Sequence, residues 1–468
     1  MSTSNRPWLI LGTCCLSLLI VGIDVTIVNV ALPSIRHDLH ASLSGLQWSV
    51  DAYTLVIGSF LMASGSTADR FGRKRLFQIG LALFTLGSLL CGLSTSITEL
   101  VAFRCLQALG GSMLNPVALS IISNTFTERR ARARAMGIWG AVFGVSLALG
   151  PVVGGVLVTS VTWRAIFWIN IPIGLAAIVL THLFVPESKA ATARRFDPWG
   201  QLLVIVMLAT LTYGVIEGPS AGWGSATIAS AFAIAAIAAV SLVVVESRRY
   251  QPLLEVRFFR SVPFSGASVI AVLAFGVLGG FLFVNTLYLQ DGRGYSAAQA
   301  GLQTLPMAVM ICLFAPVSGR LVGSRGARLP LVLAGIAVAA GAALLLRLGN
   351  GTSTPYLLGS YVLLGIGFGL VNAPISNTAV SGMPNSQAGV AASVASASRQ
   401  TGSALGVAIT GSIIAGASDA HLASASHAAW ALLVACGIGV TVVGYASTGR
   451  RAVGTAQRVR GMLDDDAT

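Results

Sequence analysis

The sequence predicts an all-α polytopic membrane protein with fourteen transmembrane helices, arranged as two six-helix bundles with two further helices inserted between them. Three observations predict it. Hydrophobic residues make up 55% of the 468-residue chain and Asp, Glu, Lys and Arg only 10%, where soluble domains carry about a quarter charged residues. Apolar runs of about 20 residues recur along the chain, long enough to cross a hydrocarbon core of about 30 Å. Basic residues gather in five of the six alternate gaps between those runs, as they do in loops retained on the cytoplasmic side.

The predicted spans lie near residues 8–33, 46–68, 76–94, 98–122, 134–158, 164–185, 199–218, 225–246, 263–289, 299–321, 329–348, 355–380, 392–416 and 427–447. The first exceeds a signal-peptide core and reads as a retained span. The inner gaps hold Arg70, Arg73, Lys74 and Arg75; Arg129, Arg130, Arg132 and Arg134; Lys189, Arg194 and Arg195; Arg248, Arg249, Arg257 and Arg260; and Arg320, Arg325 and Arg328. Arg6 and the tail arginines Arg450, Arg451, Arg458 and Arg460 join them, whereas the outer side holds only Arg36, Arg164, Arg293 and Arg347. An even number of helices with both termini inside follows. The formal charge of +13 is thus set by topology and does not point to nucleic acid. All eight tryptophans lie near span ends, as interfacial anchors do. The six cysteines sit in apolar stretches and read as small hydrophobes, and neither cysteines nor histidines show a metal-ligand spacing.

Polar stretches at 186–198 and 247–262 divide the chain. Residues 1–185 read as an N-terminal six-helix bundle, 186–247 as a linker with two inserted helices, 248–448 as a C-terminal six-helix bundle and 449–468 as a disordered cytoplasmic tail. A faint repeat supports the two halves. "GSTADRFGRKR" at Gly65–Arg75 recurs as "GRLVGSRGARL" at Gly319–Leu329, with Gly65 matching Gly319 and Gly72 matching Gly326. Each copy follows the second helix of its half.

The first copy concentrates five charges, Asp69, Arg70, Arg73, Lys74 and Arg75, between two apolar runs. Gly65 is expected to let helices approach at the end of the second span, and Gly72 to make a tight turn. The Asp69 carboxylate is placed to pair with a nearby arginine or a helix N-terminus. The segment G-x-x-x-D-R-x-G-R-K resembles the signature loop of the major facilitator superfamily. Other segments resemble the fourteen-helix drug:proton antiporters of that superfamily: "DVTIVNVALP" from Asp24, "RCLQALGGS" from Arg104, "GIWGAVFGVSLALGPVVGG" from Gly137, "WRAIFWINIPIG" from Trp163 and "RQTGSALGVAI" from Arg399. The sequence departs from those motifs at Ala108 and Ser146, where the family has glycine.

The resemblance covers nearly the whole chain and implies a major facilitator fold and proton-coupled efflux of small amphipathic, in part cationic, compounds through a bacterial inner membrane. It implies no cofactor, the proton gradient being the energy source, and a gating role for Gly65, Asp69, Arg70, Gly72, Arg73 and Lys74. The motif of the fifth span, with Gly137, Gly150, Pro151, Gly154 and Gly155, is associated in the family with export. On physical grounds Pro151 bends that helix, and the glycines admit a neighbouring backbone.

Charges inside spans cost about 2.5–3.5 kcal/mol each on insertion scales and mark function. Asp24 lies about 24 Å along the first helix, Asp51 about 8 Å from the outer end of the second and Arg104 about 9 Å into the fourth. The three are expected at a similar depth in the outer half, with Asp24 the principal proton-coupling carboxylate, Asp51 assisting and Arg104 tuning both. Asn29, Gln107, Asn115, Glu217, Asn372 and Arg399 are further candidates for a substrate pathway. The expected partners are small-molecule substrate, protons and the lipid bilayer. The rival readings are a proton-coupled metabolite uptake carrier, a membrane-embedded lipid enzyme and a transport-dead sensor. No nucleophile, acid/base pair or metal cluster stands out for the enzyme.

Overall fold

The computed structural model describes residues 6–189, 197–249, 252–349, 351–384, 387–417 and 421–465. The expected linker arginines Arg194 and Arg195 lie outside the described residues. The described residues build a set of helices: α1 Arg6–Asp38, α2 Leu43–Phe71, α3 Arg73–Leu93, α4 Ile97–Thr125, α5 Arg129–Ser160, α6 Ala165–Trp168, α7 Asn170–Phe184, α8 Pro198–Ala221, α9 Ala226–Ser247, α10 Val262–Leu287, α11 Ala297–Gln303, α12 Leu305–Arg325, α13 Arg328–Leu345, α14 Thr354–Val380, α15 Ala388–Ile414, α16 Leu422–Ser447 and α17 Arg450–Asp465. A 3-10 turn, Val256–Arg260, precedes α10, and a π turn, Tyr288–Gly292, prolongs it.

Helix starts follow local chemistry. Ser42 accepts the Gly45 N–H at 3.1 Å at the start of α2. At α4, Ser96 Oγ accepts the Glu99 N–H at 3.2 Å, while Glu99 Oε2 accepts the Thr95 N–H at 2.8 Å, so orphan donors on both sides of the cap are met.

Among the described residues, twelve stretches are long and apolar enough to cross a membrane. The two expected spans outside that set, 46–68 and 392–416, fall on α2 and α15. Both helices have the length, 29 and 27 residues, but their composition is too polar: α2 carries Gln47, Ser49, Asp51, Thr54, Ser59 and Ser64, and α15 a run from Ser396 to Ser403 rich in hydroxyls with Arg399 and Gln400. The expected sixth span divides into α6 and α7, and the tenth into α11 and α12, the latter starting at Leu305–Pro306.

The chain divides into two compact units, residues 1–197 with Tyr295–Leu302, and residues 198–294 with 303–468. In the first, α1 packs on α5 and α7, and α4 on α2 and α3, around a core that includes Tyr53, Phe77, Phe84 and Ile121. In the second, α10 packs on α15 and α16, α13 on α14 and α16, and α12 on α14. Helices α8 and α9, the pair expected as an insertion, belong to this unit. The pair packs along α15, where Ser412 Oγ donates to the Val215 carbonyl at 2.5 Å.

Two expectations are corrected. The tail forms α17 rather than a disordered segment. Ala452, Ala456, Val459 and Leu463 recur at helical spacing and are buried, so an apolar stripe docks the helix against α10 and α16. Trp163 and Trp430 are not lipid-facing anchors, for both are buried. Trp430 donates its Nε1–H to Ser426 Oγ at 2.9 Å beside Phe281, and Trp163 donates to Asp38.

Candidate functional site

α1, α3, α4 and α7 of the first unit bring polar side chains to one buried cluster. Arg104 Nη1 lies 2.5 Å from Asp24 Oδ2, with both side chains almost wholly buried. Gln107, one turn after Arg104, donates from Nε2 to Asp24 Oδ1 at 2.8 Å and to Ser88 Oγ at 2.7 Å. Its Oε1 accepts from Arg104 Nη1 at 2.7 Å. Asn170 Nδ2 completes the shell, 3.3 Å from Asp24 Oδ1. Arg104 Nε donates to the Ser49 carbonyl at 3.1 Å, and the guanidinium lies over the Tyr53 ring, 4.0 Å from its centroid. Every charge in this cluster is therefore met by an opposite charge, an amide, a hydroxyl or a ring face.

Asp51 is placed differently. It is fully buried, and neither carboxylate oxygen has a hydrogen-bond partner among the described residues. The cause is the helical period. α2 turns Ser49 and Tyr53, four positions apart, toward Arg104; Asp51 lies between them in sequence, off that face. The three charges expected to form one group thus form a closed pair, Asp24–Arg104, and a solitary carboxylate.

Small residues hold α5 against its neighbours. A Cβ added at Gly150 or Gly154 of α5 would run into α1, at Thr26 and the Ile23 carbonyl or at Ile27. Gly155 lies against Ala297 and Ala298 of α11, whose Ala298 N–H donates to Thr159 Oγ1 at 3.1 Å. Ser146, standing where the motif has glycine, rests on Gly22 of α1, whose missing side chain leaves room for the serine hydroxyl. Gly137 does not take part. A Cβ there meets nothing within 4 Å, which corrects its expected packing role.

The signature loop joins α2 to α3. Arg73 Nη2 and Nε lie 2.8 and 3.2 Å from Asp69 Oδ1. Gly72 has φ +116°, and its N–H donates to the Ala68 carbonyl at 3.0 Å. Gly326 in the second copy repeats the arrangement, with φ +77° and its N–H on the Val322 carbonyl. Gly65 is a further correction: a Cβ there meets nothing within 4 Å, because at this level α2 turns Ser64 to Ser112 of α4, 3.1 Å away. Arg70 stacks on Phe71, and Lys74 Nζ donates to the His182 carbonyl at 2.8 Å.

The other candidates lie on α1, α4, α8, α14 and α15. Asn29 is buried on α1 and donates to the Val25 carbonyl at 3.2 Å, its Oδ1 unpartnered among the described residues; the Oδ1 atoms of Asn115 and Asn372 are likewise unpartnered. Glu217 accepts from Ser220 Oγ at 3.0 Å. Arg399 donates to Ser396 at 2.7 Å and to Ser376 at 3.4 Å. Gln107 belongs to the Asp24 shell. Sequence reasoning missed Asn170, Ser88 and Glu187. Asn170 had a signal, an amide within the apolar "WINIPIG"; Ser88 had none, since serine is ordinary in membrane helices; Glu187 is an acid just beyond the sixth span.

The family model of the Major Facilitator Superfamily matches residues 14–407. The chain is 38% identical over 86% of its length to the Multidrug resistance protein Stp of Mycobacterium tuberculosis, covering 74% of that relative. It is 37% identical over 88% of its length to the Tetracenomycin C resistance and export protein of Streptomyces glaucescens, covering 76% of it. It is 34% identical over 88% of its length to the Multidrug efflux pump LfrA of Mycolicibacterium smegmatis, covering 81% of it.

Proposed function

The chain belongs to the Major Facilitator Superfamily, and on that premise we propose that it expels small amphipathic compounds, cations among them, from a bacterial cell in exchange for protons. It is a transporter, not an enzyme. Relatives named for multidrug resistance, for tetracenomycin C resistance and export and for multidrug efflux support export of drug-like molecules. The proton gradient supplies the energy, with no cofactor.

In this reading α2 and α15 also span the inner membrane, giving fourteen spans as six, two inserted and six. Each is about 40 Å long, and α2 keeps Gln47, Ser49, Asp51, Thr54, Ser59 and Ser64 buried, away from lipid. With an even count both termini share one side, and the arginine distribution supports that side being the cytoplasm.

The observation that carries proton coupling is the contrast between the two carboxylates. Asp24 is neutralised by Arg104 and bonded on both oxygens. Asp51 is buried with no hydrogen-bond partner among the described residues, and an uncompensated ion in such a place costs several kcal/mol. Asp51 therefore carries the coupled proton, and Asp24–Arg104 is the fixed element that holds α1 and α4 beside it. Proton and substrate drive alternating access by favouring different states; without that difference nothing is coupled. The test is ethidium export in inside-out vesicles under an imposed pH gradient. Wild type drives the dye against its gradient and Asp51→Asn does not. Gradient-driven export by Asp51→Asn at the wild-type rate rejects the assignment.

A further inference from the structure

The signature loop is fastened by a residue far from it in sequence. α3 begins at Arg73 directly after Gly72, with no side chain of its own to cap it, and the first amides of a helix need acceptors. Here they find them on two consecutive residues beyond α7. The Arg73 N–H donates to the Ser188 carbonyl at 2.9 Å, the Lys74 N–H to Glu187 Oε1 at 3.1 Å and the Arg75 N–H to Glu187 Oε2 at 3.3 Å. The negative charge also lies at the positive end of the helix dipole, and Arg75 Nε is 3.8 Å from the same carboxylate. Lys74 Nζ adds a tie to the His182 carbonyl in the last turn of α7, at 2.8 Å. The carboxylate occupies the space beside Gly72: a Cβ there would lie 2.6 Å from Glu187 Oε1. Glycine at this position thus serves the cap as well as the turn.

We propose that Glu187 is a positioning residue for the loop, a detachable cap carried by the segment through which the chain leaves its first unit. The proposal rests on reading the loop as an inner-side gate. Val185 is buried and fixes the start of the segment, while the Glu187 side chain is about one-third exposed (34%) and able to withdraw. Drawing residues 187–188 away uncaps α3 next to the Asp69–Arg73 pair, so their displacement reaches the loop through the Glu187 carboxylate and the Ser188 carbonyl. The loop's own carboxylate, Asp69, is engaged with Arg73, which leaves Glu187 as the carboxylate that caps α3, beside the Ser188 carbonyl.

The test compares wild type, Glu187→Ala and Glu187→Gln as full-length protein in lipid nanodiscs, by amide hydrogen exchange, and in proteoliposomes, by ethidium export. In Glu187→Ala the Lys74 and Arg75 amides exchange about tenfold faster, the change expected for losing a charge-assisted hydrogen bond, while α1 and α4 exchange as in wild type. Maximal ethidium export falls several-fold with the half-saturating concentration held within about twofold, the split of a step made after binding. Glu187→Gln, which keeps an acceptor oxygen, restores slow exchange and most of the export. Unchanged exchange at Lys74 and Arg75 in Glu187→Ala overturns the cap; fast exchange with wild-type export overturns its role in gating. General unfolding announces itself by faster exchange in α1 and α4, and in that case failure of Glu187→Gln to recover overturns the proposal. Wild type that moves no ethidium counts against the export reading for this dye, and the exchange comparison still decides the cap.

Discussion

Arg104 and Asp24 form a 2.5 Å ion pair between α4 and α1, and neither side chain reaches solvent. The pair is closed by Gln107 and Asn170 on the carboxylate side and by the Ser49 carbonyl and the Tyr53 ring on the guanidinium side. Truncating one partner of such a pair leaves the other as an unpaired buried charge, a loss of about 3–5 kcal/mol. Arg104→Leu is therefore expected to lower the yield of folded protein and its unfolding temperature in detergent. Asp24→Asn combined with Arg104→Leu regains a large part of the loss, because no charge is stranded. A double variant no more stable than Arg104→Leu alone would show that the guanidinium matters through packing on Tyr53 instead.

The signature loop offers a coupling test. Asp69→Asn removes the charge, and Arg73→Ala the donor, of the 2.8 Å contact across the turn between α2 and α3. Members of one network are non-additive, so the double variant is expected to export no more slowly than the worse single one, with membrane insertion unchanged. Independent, multiplying losses of export rate would mean that the two residues act through different partners.

Helix α5 supplies a contrast between two glycines of one motif. Gly150→Leu forces a side chain into Thr26 and the Ile23 backbone, on the stretch of α1 that carries Asp24. Export is expected to collapse although the chain becomes more apolar, as overpacking at a backbone contact displaces the helix. Gly137→Leu meets open space and is expected to keep at least about half the wild-type rate, given that substitutions away from packed features shift stability by only about 0.5 kcal/mol. Ethidium export normalised to the amount of protein in the membrane separates the two cases, and equal losses would refute the packing argument.

Part of the site is legible in the sequence. Charges are rare in apolar spans, so Asp24, Asp51 and Arg104 stand out, and the helical rise puts Asp24 and Arg104 at one depth, where they meet. Rotation is not legible. α1 and α4 are apolar on all sides, so their sequences carry no stripe to show which face turns inward. The two-residue offset that carries Asp51 away from Arg104 comes from the packing of α2. Ser88 is a neutral donor of a kind too common in membrane helices to be singled out, whereas Asn170 shows as an amide within an apolar run. The spacing of Ala452, Ala456, Val459 and Leu463 is readable, but the arginines between them disguise it as a solvated tail. Glu187 is invisible in the sequence because its partners are backbone amides more than 100 positions away.

The separation of Asp24 from Asp51 gives opposite expectations for two substitutions of the same kind. Asp51→Asn removes the carboxyl proposed to carry the coupled proton, which has no hydrogen-bond partner among the described residues. It is expected to insert and fold as well as wild type or better, since a costly buried acid becomes a neutral amide. Addition of ethidium to the purified protein in weakly buffered detergent is then expected to release protons from wild type and none from Asp51→Asn, with dye binding retained. Asp24→Asn strips the counter-charge from Arg104. It is expected to unfold at a lower temperature, and whatever fraction remains folded still releases protons on dye binding. The two measurements, unfolding temperature and dye-induced proton release, therefore move in different variants. If Asp24→Asn instead keeps its stability and loses proton release while Asp51→Asn releases protons normally, the coupled proton belongs to Asp24, and its ion pair with Arg104 must open during each transport cycle.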